Sequence, residues 1–325
     1  MKIVLHIGMP KTGSTSIQVN FRLHQEKLKS LGIDMPMVND RFIHPFHLKA
    51  LLFSPNPEKA AKTKPKVAEA LKAIDGAAAS NPDILFLSSE ELAHRVQHID
   101  ILERNLHRWS DDVSVVVYMR DPVSLYRSFI QQHVKSQHYI PSPRDWSAGY
   151  LDVMEHWRAK FGDKFSAFPF ERSALFKQSI VNDMVYRCDP NVAADENFDL
   201  VSANVSEVSE VSAVMQSYMF EHQANKKIYG SETGNLRRWL SGVASAENVG
   251  TKCKLKEKVA ETITALKRDE ILELRDKHGF VFGAIDYDTL SDATVHEACL
   301  DYNKVEELCD VDHKVITSLT EAMRS

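Results

Sequence analysis

Apolar residues come as short β-branched runs in the first half of the chain and at helical spacing in the second, and this change of period organises the molecule. Ile3-Val4-Leu5-His6-Ile7 is a near-continuous apolar run, as a strand buried on both faces requires. A loop rich in Gly, Pro, Thr and Ser follows. From Ser14 the period lengthens, with Ile17, Phe21, Leu28 and Leu31 near one face of a helix that Gly32 stops. Residues 32–36 begin a short second strand, and residues 42–53, mixed aromatic and histidine, read as helix. Pro65 opens a further helix carried by Val67, Leu71 and Ile74 and ending near Gly76. Residues 83–88 and 113–119 are strand-length apolar runs, with a helix expected over 92–109 between them. After the second run Asp121-Pro122 breaks the strand, and Leu125, Phe129 and Val134 continue as helix. A helix over 148–161 leads through Gly162 to a strand at 165–170, ended by Pro169.

Strands alternating with helices predict an α/β fold with a central parallel sheet. Beyond about residue 200 strand signals nearly vanish. Segments 211–223 and 256–278 read as helices, and Gly279-Phe280-Val281-Phe282-Gly283 closes the fold. The triplet echo VSEVSEVSAV, from Val205 to Val214, is a valine seam on one helix and far too short for a repeat architecture. No linker composition separates the parts. The expectation is one domain over 1–325, with an α/β nucleotide-binding core at 1–200 and a mainly helical extension at 201–325 packed on it.

Composition narrows the class. With 325 residues, 43% hydrophobic and 26% charged, the chain can bury a sizeable core and is neither disordered nor fibrous. A formal charge of −5 argues against a general nucleic-acid binder. Cys188, Cys253, Cys299 and Cys309 are far apart in sequence and form no CxxC pair, so buried reduced thiols are expected rather than a zinc site or disulfide framework. The N-terminal apolar run is too short for a signal peptide, and no run approaches the roughly 18 residues a membrane span needs. The expected place is the cytoplasm, including the inner face of the membrane.

Chemistry enters at the loop after the first strand. Gly8-Met9-Pro10-Lys11-Thr12-Gly13-Ser14-Thr15-Ser16, between a strand and a helix, sets backbone N–H groups at a helix N-terminus, which is an anion site. Gly8 to Thr15 has the glycines and terminal Thr of GxxxxGK[ST], but Ser14 stands where that pattern has lysine. The loop's lysine is Lys11, further back, a position from which it could neutralise the bridging oxygen of a shorter phosphosulfate.

IGMPKTGSTSIQ resembles the 5′-phosphosulfate loop of sulfotransferases that use 3′-phosphoadenosine 5′-phosphosulfate (PAPS), particularly bacterial carbohydrate-type members. The resemblance implies a P-loop-like three-layer fold in which Lys11 contacts the sulfate and the leaving oxygen. Thr12, Gly13, Ser14, Thr15 and Ser16 cradle the 5′-phosphate. Val115-Val116-Val117-Tyr118-Met119-Arg120-Asp121-Pro122, with Ser128 eight residues after Arg120, resembles the family's 3′-phosphate element; a rigid guanidinium fork and a hydroxyl suit that ligand. Weaker likeness continues through Phe168-Pro169-Phe170-Glu171-Arg172 and Asn204-x-Ser206, about two-thirds of the chain.

The implied reaction moves a sulfuryl group from PAPS to an acceptor hydroxyl, leaving 3′-phosphoadenosine 5′-phosphate (PAP), with no metal. An acceptor hydroxyl needs a base. Glu90, in Leu87-Ser88-Ser89-Glu90, holds the place where family members carry a catalytic group at a strand end, and Glu91 is its neighbour and rival. Either could instead cap a helix beginning near Leu92. His47, beside His44, is the other candidate. The loop's likeness to carbohydrate-type members favours a glycan or glycolipid acceptor. The rival readings are a P-loop kinase or NTPase using Mg-ATP, and a catalytically silent nucleotide-binding relative.

Overall fold

The computed structural model describes residues 1–198, 207–223 and 231–324. The chain begins with β1 (Lys2–His6), whose Ile3, Val4 and Leu5 are fully buried, then α1 (Ser14–Leu23) and α2 (Gln25–Ser30). One helix over this stretch was expected. It breaks at His24, and Leu31 is 36% exposed rather than part of a buried stripe. The strand expected near 32–36 is β2 (Ile33–Asp34), followed by a two-strand hairpin of β3 (Met37–Val38) and β4 (Arg41–Phe42). The helix read over 42–53 is α3 (Pro45–Leu52), started by Pro45 at its first turn and by the His44 ring, which accepts from Phe46 N.

Next come α4 (Pro57–Thr63), which the sequence pattern did not suggest, α5 (Pro65–Ala79), which runs through Gly76, and β5 (Ile84–Ser88). Within the helix expected over 92–109, a single 3₁₀ turn (Val96–His98) leads into the shorter α6 (Ile99–Leu106). Then follow β6 (Val113–Met119), α7 (Pro122–His133), α8 (Tyr150–Phe161), β7 (Phe165–Pro169), α9 (Ile180–Cys188) and α10 (Pro190–Asp195). The rest is helical: α11 (Ser209–Gln223), α12 (Ser231–Ala246), α13 (Glu257–His278), α14 (Val305–Leu308) and α15 (His313–Arg324). The closing segment 279–283 forms no strand; Phe280 and Phe282 are buried there as coil.

The five long-range strands pair in the order β2-β5-β1-β6-β7, all parallel. Val4, Phe86, Val116 and Tyr118 lie on one face with Ile17 and Phe21 of α1 and Val181, Met184 and Val185 of α9. The alternate residues Ile3, Leu5, Leu85, Val115 and Val117 are also fully buried, so by the two-residue period of a strand both faces are covered. The architecture is therefore α/β around a parallel sheet. Strand order reverses about β1: the chain moves outward to β2, returns through β5, and crosses to β6 and β7. Ligands of open parallel sheets bind beyond the carboxyl ends of the strands at such a reversal.

The chain divides into two compact units that interleave in sequence. The first comprises residues 1–120, 149–204 and 273–284, and the second 121–148, 205–272 and 285–325. α7 groups with the second unit, and the boundary within α13 returns residues 273–284 to the sheet unit. In the second unit Val211, Val214 and Met215 of α11 pack with Leu240 and Ala244 of α12 and Leu319 of α15. Glu210, fully buried, is satisfied by two backbone amides, Thr251 N at 2.8 Å and Asp312 N at 2.7 Å. All four cysteines are buried and free, and the fold brings two that are distant in sequence together, with the Cys253 and Cys309 sulfurs 3.9 Å apart.

Candidate functional site

The loop after β1 continues the sheet before it turns. Ile7 N donates to Val116 O at 3.0 Å, Tyr118 N to Gly8 O at 2.8 Å, and Met9 N to Tyr118 O at 2.9 Å, so the backbone stays in register with β6 up to Met9. The chain then reverses. Lys11 and Gly13 adopt positive φ (67° and 86°), and Thr12 Oγ1 donates to Met9 O at 2.6 Å. Thr12 is fully buried, and this hydrogen bond lets its hydroxyl hold the loop's shape. Gly13 is the N-cap of α1 and brings no side-chain cap, which leaves the first-turn amides to be satisfied from outside the helix. Ser14 is buried at the start of α1, whereas Thr15 is exposed and Ser16 and Lys11 are half-buried.

Glycine at 13 is required by contact as well as by φ. A Cβ there would lie 3.0 Å from Phe170 Cε2 and 3.1 Å from Ile180 Cγ1. Phe170 also lies under Arg120, with the guanidinium carbon 5.6 Å from the ring centroid. Arg120 follows β6 directly, and its Nη1 donates to Lys11 O at 3.4 Å, while its own carbonyl accepts from the Tyr150 hydroxyl. Arg120 and the first loop therefore meet at the carboxyl ends of adjacent strands. Ser128, its expected partner, lies half-buried on α7 in the second unit. Asn204 and Ser206 lie outside the described residues.

The candidate bases separate by their surroundings. Glu90 follows β5, and a Cβ on Gly8 (φ 108°) would meet its Cα at 3.0 Å and its Cβ at 3.3 Å, so the first loop and Glu90 are in direct backbone contact. Glu90 Oε2 is buried and makes no hydrogen bond. Glu91 is occupied: Lys49 Nζ is 2.6 Å from its carboxylate and sits 4.4 Å from the centre of the Phe46 ring. Neither glutamate caps a helix, because residues 89–95 form a turn and α6 starts only at Ile99. His47 lies on α3, its ring 5.3 Å from that of His44. Burial, then the neighbouring His44 and Lys66, lower its pKa, with Glu69 opposing, which favours the neutral ring. The two segments touch: Ser89 Oγ donates to Pro45 O at 3.2 Å, just ahead of His47.

Three residues that the sequence reading left without a role lie beneath these groups. His6, Gln18 and Ser88 form a buried polar cluster between the end of β1, α1 and the end of β5. Gln18 had a signal, being polar one turn after Ser14 on the face that also carries Ile17 and Phe21; His6 and Ser88 sat inside apolar strands and gave none. A groove of about 560 Å³ lies elsewhere in the sheet unit, lined by Lys29, Asp34, Met37, Glu69 and Lys72 among others, and takes no residue from the first loop.

No protein-family model matches the chain, and no curated protein matches it.

Proposed function

We propose that the chain is a PAPS-dependent sulfotransferase with a P-loop-like fold, transferring a sulfuryl group to an acceptor hydroxyl of a glycan or glycolipid. One observation carries most of the reading: an unpartnered, buried carboxylate oxygen of Glu90 stands against Gly8, at the mouth of an anion-type loop. A loop that only turned the chain has no use for an unsatisfied carboxylate at its base. The loop's composition supports the donor. Ser14, where an NTPase carries its phosphate lysine, is a buried hydroxyl, and Lys11 precedes the glycine.

In this reading Glu90 accepts the proton of the acceptor hydroxyl as its oxygen bonds to sulfur. The bond from sulfur to the bridging oxygen breaks in line, and the electron pair passes to the 5′-phosphate of PAP. Lys11 and the first-turn amides of α1 take up that charge. Arg120 binds the 3′-phosphate as an ion-pairing fork. His47 is the alternative base.

Thermal shift decides the donor. Stabilisation by PAP without Mg²⁺ is expected, and a response to Mg-ATP alone overturns the reading in favour of a kinase or NTPase. Radiolabelled PAPS offered to cell-envelope glycans, small alcohols and phenols then tests the acceptor. Labelling confined to phenols removes the glycan.

A further inference from the structure

We infer that Gln18, Ser88 and His6 are positioning residues that clasp the Glu90 segment to the donor loop; this rests on the reading of Glu90 as base. Gln18 Nε2 on α1 donates to Ser88 Oγ at 3.2 Å and Ser88 O at 3.3 Å, and His6 Nδ1 lies 2.9 Å from the same Oγ. All three are buried, at 2%, 7% and 0% exposure for Gln18, Ser88 and His6. Counting protons orders the chain of bonds. Gln18 can only donate to Ser88, so the single hydroxyl proton of Ser88 goes to a bare Nδ1 of His6. Burial lowers the ring's pKa to about 3, the Gly8 backbone partly opposing, so the ring is neutral within this cluster. Ser89 N then donates to His6 O at 2.9 Å, and Ala93 N to Ile7 O at 3.2 Å.

The consequence is mechanical. Nothing bonds the tip of Glu90 at Oε2, so its place is set through its backbone by Gly8 on one side and by Ser88, two residues earlier, on the other. Apolar side chains would fill the same contact without the cost of burying polar groups, but they are not directional. A helix that opens with the phosphate loop is thus tied by oriented hydrogen bonds to the strand end that carries the base.

The test uses Gln18→Met, which keeps length and volume and removes both hydrogen bonds, with Ser88→Ala as second variant. Hydrogen–deuterium exchange of the peptide over 88–93 is expected to rise about tenfold in Gln18→Met, with exchange of the β6 peptide unchanged. Turnover is expected to fall at least tenfold while the Kd for PAP stays within twofold. Unchanged exchange over 88–93, or a loss of PAP affinity that matches the loss of turnover, overturns the clasp. Should Gln18→Met fail to fold by circular dichroism, Ser88→Ala decides by the same measurements. Wild-type protein that does not bind PAP sinks the sulfotransferase reading, whereas the exchange result still decides whether Gln18 holds the Glu90 segment.

Discussion

A buried carboxylate oxygen without a donor costs a fold on the order of 1–3 kcal/mol, and more when charged, so Glu90 is a residue that stability alone would replace. Glu90→Gln is therefore expected to leave the urea midpoint unchanged or raise it, while sulfuryl transfer falls about 100-fold or more. A structural glutamate would show the reverse, lost stability with activity intact. His47→Ala is expected to cost much less activity. Parity between the two variants would move the base to α3. Gly8→Ala probes the same contact from the loop side. Its φ of 108° and the 3.0 Å approach to Glu90 Cα set a Cβ against backbone, which cannot swing away. A loss of about 1–3 kcal/mol in denaturant titration, with activity reduced beyond what unfolding explains, is the expected outcome.

Between elements, the join of α9 to β6 rests on one fully buried carboxylate. Asp183 accepts from the Tyr118 hydroxyl at 2.5 Å, from Phe176 N at 2.8 Å, and from both ends of the Arg187 fork at 3.0 and 3.1 Å. The Arg187 guanidinium stacks 3.7 Å over the centre of the Phe168 ring on β7. Asp183→Ala strands a phenol, an amide and a guanidinium at once and is expected to cost about 3–5 kcal/mol by chemical denaturation. Tyr118→Phe should cost distinctly less, because Arg187 still satisfies the carboxylate. The sequence announces β1, β5 and β6 because strands buried on both faces have little but apolar positions. It misplaces the helix at 92–109 because Leu92 and Ala93, though apolar and buried, spend their backbone elsewhere: Ala93 N donates to Ile7, and Ala93 O accepts from Trp157 Nε1 at 2.9 Å. Such a tertiary claim on backbone groups leaves no periodic trace. The same holds in the candidate site. The loop and Arg120 show as motifs, and the Gly8 to Glu90 contact, 82 residues apart, appears only in the fold.

For the molecule as a whole, no helix among the described residues is long and apolar enough to cross a membrane, and six histidines shift their proton affinity in the same direction. His6, His24, His47, His94, His133 and His278 all have pKa values lowered below the usual 6.5, with burial the first cause in each; His6 is lowered to about 3. As pH falls below 6.5 the unfolded chain takes up protons that the folded chain does not. Stability therefore rises with pH in this range, is fully present above it, and drains as pH falls towards the folded values. Each fully buried ring contributes at most about 1.4 kcal/mol per pH unit, a limit only His6 approaches, since the others keep more contact with solvent. Asp34 works against the trend, its carboxyl pKa raised chiefly by burial, so its own contribution favours the folded state as pH falls. His6 alone, lowered to about 3, titrates differently in the two states across this whole range, and the urea midpoint is expected to decline between pH 7 and pH 4.5. His6→Asn keeps an acceptor for Ser88 Oγ but cannot titrate, and so should flatten that decline by close to one proton's slope. A midpoint independent of pH down to 4.5 in the wild type would mean that these rings are protonated in the folded state, and with it the proton order assigned to His6, Ser88 and Gln18 would fall.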